Sequence, residues 1–152
     1  ITIGSNRGAS GIDGTIASAV GFAKASNKPT TLLIGDLAFL HDLNSLAMIR
    51  ELSKPLIIVL LNNNGGGIFN FLPIAKELNI FEKFFGAPHG LHFAEAAKMF
   101  HLKYAQPGRP NDFTAIYKNS FKAGQSILIE INTNRGQNAG AHKLLQKSLS
   151  LW

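Results

Sequence analysis

An α/β fold on a mainly parallel sheet is predicted by three observations. Short apolar or β-branched runs alternate with stretches of helical periodicity, the pattern of strand–helix units joined by right-handed crossovers. The run Leu56–Leu61 is apolar at every position, as a central parallel strand covered on both faces must be. The polar clusters Gly35-Asp36 and Asn62-Asn63-Asn64-Gly65-Gly66-Gly67 each follow a strand-like run directly, at the ends where such sheets bind their ligands.

Gly4–Gly8 reads as a loop. From Gly11 onward Ile12, Ile16, Ala19, Val20 and Ala23 fall at helical spacing, and Asn27-Lys28-Pro29 ends that helix because the residue before proline avoids helical geometry. Thr30–Ile34 is a short strand stopped by Gly35-Asp36. A second helix is expected from about Asp42, a plausible N-cap, through Leu43, Leu46 and Ala47 to Leu52. Pro55 opens the apolar strand Leu56–Leu61. Phe71–Gly90, with Pro73, Pro88 and scattered Phe, reads as an irregular flap. Phe93, Ala96, Ala97 and Phe100 mark a third helix, a short strand follows near Tyr104, and Phe113, Ile116, Tyr117 and Phe121 mark a fourth helix. Ser126–Ile131 is the last strand, and Asn134–Gly140 is expected to turn into a final helix.

The length of 152 residues suits one domain with its own core. Fifteen basic and nine acidic residues leave a net charge of +6, yet only 16% of residues are charged, against about 25% in an average soluble domain. With eleven Phe, that composition predicts a surface hidden against another domain or subunit. Lys and Arg are dispersed with no run of three, which disfavours nucleic acid. Without cysteine, disulfides, thiolate metal sites and Cys nucleophiles are excluded. No apolar run approaches the roughly 18 residues of a membrane span. No signal peptide is visible, and a chain opening on Ile1 reads as a piece of a longer protein.

Between Asp36 and Asn63 lie 26 residues, room for one loop, one helix and one strand. If the two strands are neighbours, about 4.8 Å apart, the carboxylate and an Asn carbonyl can meet over one point. Asp, Asn and backbone oxygens are hard ligands that suit Mg²⁺ or Ca²⁺ rather than zinc, and Mg²⁺ is commonly held by one or two protein groups plus phosphate and water. Glycines let a backbone approach a phosphate closely. Each cluster alone is ordinary turn chemistry; the pair at matched strand ends suggests a Mg²⁺–diphosphate site.

Gly35-Asp36, 26 residues and then Asn63-Asn64 resemble the thiamine-diphosphate motif of the transketolase and decarboxylase superfamily. Ser5-Asn6-Arg7-Gly8-Ala9-Ser10-Gly11-Ile12-Asp13-Gly14, Gly35-Asp36-Leu37 with Asp42-Leu43-Asn44, Asn62–Phe69, His92-Phe93 and Lys103-Tyr104 resemble one branch, the MenD family of menaquinone biosynthesis. The resemblance spans essentially the whole chain. It implies a three-layer α/β/α, thiamine-diphosphate-binding fold, and that residues 1–152 form the last domain of a three-domain, cytoplasmic, homo-oligomeric enzyme. That enzyme decarboxylates 2-oxoglutarate and adds the succinyl carbanion to isochorismate. By resemblance Asp36 and Asn63 are side-chain ligands of Mg²⁺ (or Mn²⁺), with the Gly65 carbonyl as backbone ligand. Gly35, Leu37, Gly66 and Ile68 line the diphosphate pocket, and Ser10 and Ile12 lie near the cofactor rings. Arg7 grips a substrate carboxylate, for which the guanidinium's paired donors are suited. Ile68, Phe69 and Leu72 form an apolar wall beside the reacting carbon, where a dry environment favours loss of CO₂.

The glutamate that activates the cofactor in this superfamily comes from another domain, so neither Glu51 nor Glu95 is given that role, and the chain alone is expected to be inactive. Two alternatives stay open: a domain of another thiamine-diphosphate-dependent 2-oxoacid decarboxylase or carboligase, and a non-catalytic assembly domain of the same fold. His89 and His92 sit three apart before Glu95, a weak zinc signal. No serine lies in a nucleophile elbow, and Gly4–Gly8 lacks the lysine of a Walker loop.

Overall fold

The protein is described from a computed structural model that covers residues 2–6 and 11–149. Its elements run α1 (Thr15–Ser26), β1 (Thr30–Gly35), α2 (Asp36–His41), a 3₁₀ helix (Leu43–Glu51) and β2 (Leu56–Asn62). Two 3₁₀ turns (Gly67–Phe71, Pro73–Lys76), α3 (Leu78–Phe81) and a π-helical turn (Glu82–Gly86) follow. The chain then forms α4 (Ala94–Met99), β3 (Lys103–Ala105), α5 (Pro110–Ala123), β4 (Ile127–Asn132) and α6 (Arg135–Leu149).

Two compact units emerge. The first comprises residues 1–61 and 92–131, the second residues 62–91 and 132–152. In the first, the strands form one sheet in the order β1-β2-β4-β3, with β1–β2 and β3–β4 parallel. Alternation along β2 decides which face each residue covers, because successive side chains point to opposite sides. Leu56, Ile58 and Leu60 join Ile16, Val20, Phe39, Leu46, Ile49, Phe93 and Ala97 in one core. Ile57 and Val59 join Ile127 and Ile129 in a second core, against Phe113, Ile116 and Tyr117 of α5. Both faces of the sheet are covered, giving the expected α/β/α layering. An edge-to-face contact between Phe39 and Phe93, centroids 5.1 Å apart, adds about 1 kcal/mol beyond burial.

Local chemistry sets the helix ends. Asn27 adopts the left-handed conformation (φ 50°) at the end of α1 and its N–H bonds Ala23 O, a role open to Asn because its short polar side chain tolerates that region. Pro110 stands in the first turn of α5 and Gly124 (φ 65°) just past its end, the usual asymmetry of proline and glycine.

Three expectations are corrected. A separate short helix, α2, fills Asp36–His41 directly after β1, and the helix expected from Asp42 follows it as a 3₁₀ helix, Leu43–Glu51, with Asp42 at its N-cap position. The Asp42 carboxylate does not bond the N–H groups of the helix it opens: Oδ2 accepts the Ala17 N–H at 2.9 Å and Oδ1 the Ser45 hydroxyl at 2.6 Å. Residues 135–140 are already the start of α6 rather than a turn, with Asn134 Oδ1 accepting the Gln137 N–H at 2.9 Å as its cap. Phe71–Gly90 is built of short helical turns.

A polar node lies inside the first unit. Glu130 on β4 is fully buried; its Oε2 accepts the Phe93 N–H at 3.0 Å and the Tyr104 hydroxyl at 2.8 Å. Burial of the phenol, the hydrogen bond to Glu130 and that carboxylate's charge, in that order, push the Tyr104 pKa well above its ordinary value. A raised folded-state pKa favours the protonated phenol, so its contribution to stability is complete below the unfolded tyrosine value of about 10 and is lost as pH rises from there. The unfolding midpoint is therefore expected to fall more steeply above about pH 10 in the wild type than in Tyr104→Phe; equal slopes in thermal melts across that range would remove Tyr104 from the alkaline transition. Among the described residues no helix is long and apolar enough to cross a membrane.

Candidate functional site

In the first unit the β1–β2 register pairs Gly35 with Leu61, so the two strands end at the same edge of the sheet. Gly35, the last residue of β1, is extended (φ −82°, ψ 162°), and no heavy atom outside its chain neighbours lies within 4 Å of where a Cβ would stand. Asp36 opens α2 and is buried to 2% exposure. Its Oδ1 accepts the Leu37 N–H at 2.8 Å. A carboxylate so removed from water requires compensating partners, and a cation is one chemistry that fits. Ile12 is 44% exposed and Leu37 half-buried. Arg7 and Ser10 lie outside the described residues.

In the second unit the three consecutive asparagines divide their work. Asn62 Nδ2 donates to Leu91 O at 2.9 Å, its Oδ1 accepts the Asn64 N–H at 3.1 Å, and its carbonyl accepts the Thr133 N–H at 2.8 Å. Asn64 is left-handed (φ 62°), and its Oδ1 accepts the N–H groups of His89 and Gly90 at 3.1 and 2.8 Å. These two residues are scaffolding. Half-buried Asn63, between them, has its amide beside Gly67: a Cβ there would stand 2.7 Å from Asn63 Nδ2.

The glycines that follow are close-packed. Gly65 has φ 122°, and a Cβ on it would lie 2.1 Å from Gly86 O; one on Gly66 would lie 2.1 Å from Phe85 O. Gly66 N–H donates to Gly86 O at 2.7 Å. Phe69 meets Phe85 edge-to-face at 5.7 Å, while Ile68 and Leu72 are 73% and 49% exposed. An open cleft of about 330 Å³ adjoins the loop, lined among others by Asn63, Asn70, Glu82, Asn134 and Arg135. Asn70 Oδ1 and Arg135 Nη1 are buried there without hydrogen-bond partners.

Among the described residues no three His, Cys, Asp or Glu side chains gather into an ion-binding group. A divalent cation would have to use amide and backbone oxygens as well, which hard ions accept. His89 Nδ1 accepts the Leu91 N–H at 2.9 Å, and His92 Nδ1 lies 3.7 Å from Glu130 Oε1. Sequence reasoning passed over Glu130, Glu82 and Arg135, whose partners are 26 to 53 residues distant and leave no periodic signal.

A buried acid follows β1 and a glycine-tightened asparagine turn follows β2 in a parallel α/β fold, and the comparisons with known proteins narrow the class of that fold. Residues 3–131 match the family described as thiamine pyrophosphate enzyme, C-terminal TPP binding domain, and the chain belongs to that family. Its relatives include 2-succinyl-5-enolpyruvyl-6-hydroxy-3-cyclohexene-1-carboxylate synthases. That of Rubrobacter xylanophilus is 52% identical over 145 residues, 95% of this chain and 25% of the relative. That of Chlorobium luteolum is 51% identical over 143 residues, 94% of this chain and 24% of the relative. The chain thus spans about a quarter of the length of these proteins. Among solved structures, the Rhodococcus jostii thiamine diphosphate-dependent 4-hydroxybenzoylformate decarboxylase superposes with a TM-score of 0.65 at 27% identity, over 79% of this chain and 23% of that one. Benzoylformate decarboxylase from Polynucleobacter necessarius shares the fold, with a TM-score of 0.67 at 18% identity over the same shares.

Proposed function

We propose that this chain is the thiamine-diphosphate-binding domain of a 2-succinyl-5-enolpyruvyl-6-hydroxy-3-cyclohexene-1-carboxylate synthase. The whole enzyme would decarboxylate 2-oxoglutarate and join the remaining succinyl unit to isochorismate. The observation that carries this reading is the identity of about one residue in two with so-named proteins over 95% of the chain. On this reading the domain is the last of a longer cytoplasmic, homo-oligomeric protein, and exposed apolar residues such as Leu33, Phe84 and Met99 are available for its other domains and subunits to cover.

Thiamine diphosphate, when bound, supplies carbanion stabilisation. The chain's own residues bind, orient and exclude water. Asp36, Asn63 and the Gly65 carbonyl would hold one Mg²⁺ or Mn²⁺, since an all-oxygen, singly charged donor set suits such hard ions. Gly35, with open space where a Cβ would be, Leu37, Gly66 and Ile68 line the diphosphate, and Ser10 and Ile12 flank the rings. Arg7 clamps a substrate carboxylate by paired hydrogen bonds. Ile68, Phe69 and Leu72 keep water from the reacting carbon; the exposure of Ile68 and Leu72 leaves them free to meet a ligand.

The test is product formation by the full-length protein given Mg²⁺, thiamine diphosphate, 2-oxoglutarate and isochorismate, with pyruvate and benzoylformate in parallel. Turnover of benzoylformate or pyruvate alone would favour the second reading, a related decarboxylase, which the 27%-identical Rhodococcus structure supports. Arg7→Ala is expected to raise the KM for a carboxylate substrate about tenfold to hundredfold, the loss of a charge-assisted pair, while the cofactor Kd stays unchanged. An unaltered KM would take substrate binding away from Arg7.

A further inference from the structure

The Glu82–Gly86 turn is held against the glycine loop within the second unit by contacts that its own backbone propensity does not explain. π-helical turns are rare and seldom self-sustaining. This one ends at Ala87 in the left-handed region (φ 41°, ψ 55°), its N–H bonded to Glu82 O at 2.9 Å, a conformation costly for a residue with a Cβ. Phe81 and Phe85 stack at 6.4 Å, and Phe85 meets Phe69. One polar tether reaches it from α6. Arg135 Nη2 donates to Glu82 Oε2 at 2.8 Å, with the Arg135 side chain 14% exposed and Glu82 58% exposed.

Arg135 is poorly placed for its own helix. It is the first residue of α6, whose first turn carries no acidic residue, and a cation at the positive end of a helix is unfavourable. Its half-buried guanidinium nevertheless reaches 53 residues back to the turn. The same turn supplies the Gly86 carbonyl that receives the Gly66 N–H at 2.7 Å. Gly86 is packed against the pair: a Cβ on it would stand 2.6 Å from both Arg135 Nη1 and Glu82 Oε2.

We infer that Arg135 is a positioning residue: by pairing with Glu82 it pins the π-turn onto Gly65-Gly66 and so fixes the backbone that presents Asn63 and the Gly65 carbonyl. The inference rests on the reading of that loop as the Mg²⁺–diphosphate site, and it makes α6 a support for the site without touching cofactor. An ion pair merely lying on the surface would contribute little to anything.

The test uses the full-length protein with Arg135→Gln, Glu82→Gln, the charge exchange E82R/R135E, and Gly86→Ala, which wedges the pair apart while keeping both charges. Two quantities are read: hydrogen exchange of the peptide containing Gly66 without ligand, and the Kd for thiamine diphosphate with Mg²⁺ by calorimetry. Arg135→Gln, Glu82→Gln and Gly86→Ala are each expected to speed exchange at Gly66 about tenfold and to weaken cofactor binding about three- to tenfold, less than a fully buried charge-assisted hydrogen bond because Glu82 is exposed. The charge exchange is expected to restore both to within about threefold. Unchanged exchange at Gly66 in Arg135→Gln and Gly86→Ala overturns the positioning role. If the wild type itself fails to bind the cofactor while the variants still loosen Gly66, the cofactor reading falls and the tether stands.

Discussion

Asp36→Ala is expected to lower the Mg²⁺-dependent affinity of the full-length protein for thiamine diphosphate by more than about a hundredfold, or roughly 2.7 kcal/mol. Asp36 is the one anionic group in the proposed ligand set. Mg²⁺ gives up its water reluctantly and relies on a carboxylate to offset its charge beside phosphate, so losing that group removes more than one contact. The carboxylate is buried and bonded to Leu37 N–H, so Asp36→Asn, which keeps the shape and one acceptor, serves as the control for folding. It is expected to retain the wild-type melting behaviour within a few degrees, yet to lose most of the cofactor affinity. Calorimetric titrations with and without Mg²⁺ read the result directly; matching Kd values for wild type and Asp36→Ala would end the metal assignment.

Gly65→Ala should be among the most destabilising single changes in the second unit, at about 4 kcal/mol or more. Two costs combine there. At φ 122° a side chain is strained by about 1–3 kcal/mol, and the added Cβ would collide with the backbone oxygens of Gly86 and Ala87 at 2.1 and 2.8 Å; overpacking of this kind adds about 1–3 kcal/mol. Backbone atoms, unlike the tip of a long side chain, have no rotamer into which to retreat. Gly35→Ala provides the contrast. Its backbone is extended and its Cβ would meet nothing, so folding stability should be unchanged or up to about 1 kcal/mol higher, while cofactor binding weakens because the methyl enters the diphosphate space. Urea denaturation at equal m-values separates the two. A Gly65→Ala protein as stable as the wild type would show that the loop and the π-turn separate readily, and cofactor affinity retained in Gly35→Ala would take Gly35 out of the pocket.

The glycine pair also shows where reading the chain residue by residue stops. Gly65 and Gly66 were expected to be small so that a phosphate could approach. In the structure their first demand comes from the Phe85–Ala87 backbone. A glycine's need for space has no direction along a sequence; which atom occupies that space depends on chain arriving 20 residues later. Asp42 teaches the same lesson. Its type and position suit a helix cap, and its Oδ2 went instead to Ala17 N–H, 25 residues back, because an amide in the first turn of α1 has no partner within its own helix and local spacing cannot display that.

Layering, strand order along the chain and the identity of the strand-end clusters were legible from short-range pattern, since a period of two or 3.6 residues records which faces meet apolar neighbours. The apolar β2 announced a sheet covered on both sides, and two cores flank it. Long-range polar partnerships were not legible: Glu130 with Tyr104 and Phe93, and Arg135 with Glu82. Hydrophobic burial is a property each residue carries with it, whereas a hydrogen bond needs two groups aligned within about 3 Å, and that alignment exists only once each unit has folded and brought its distant segments together.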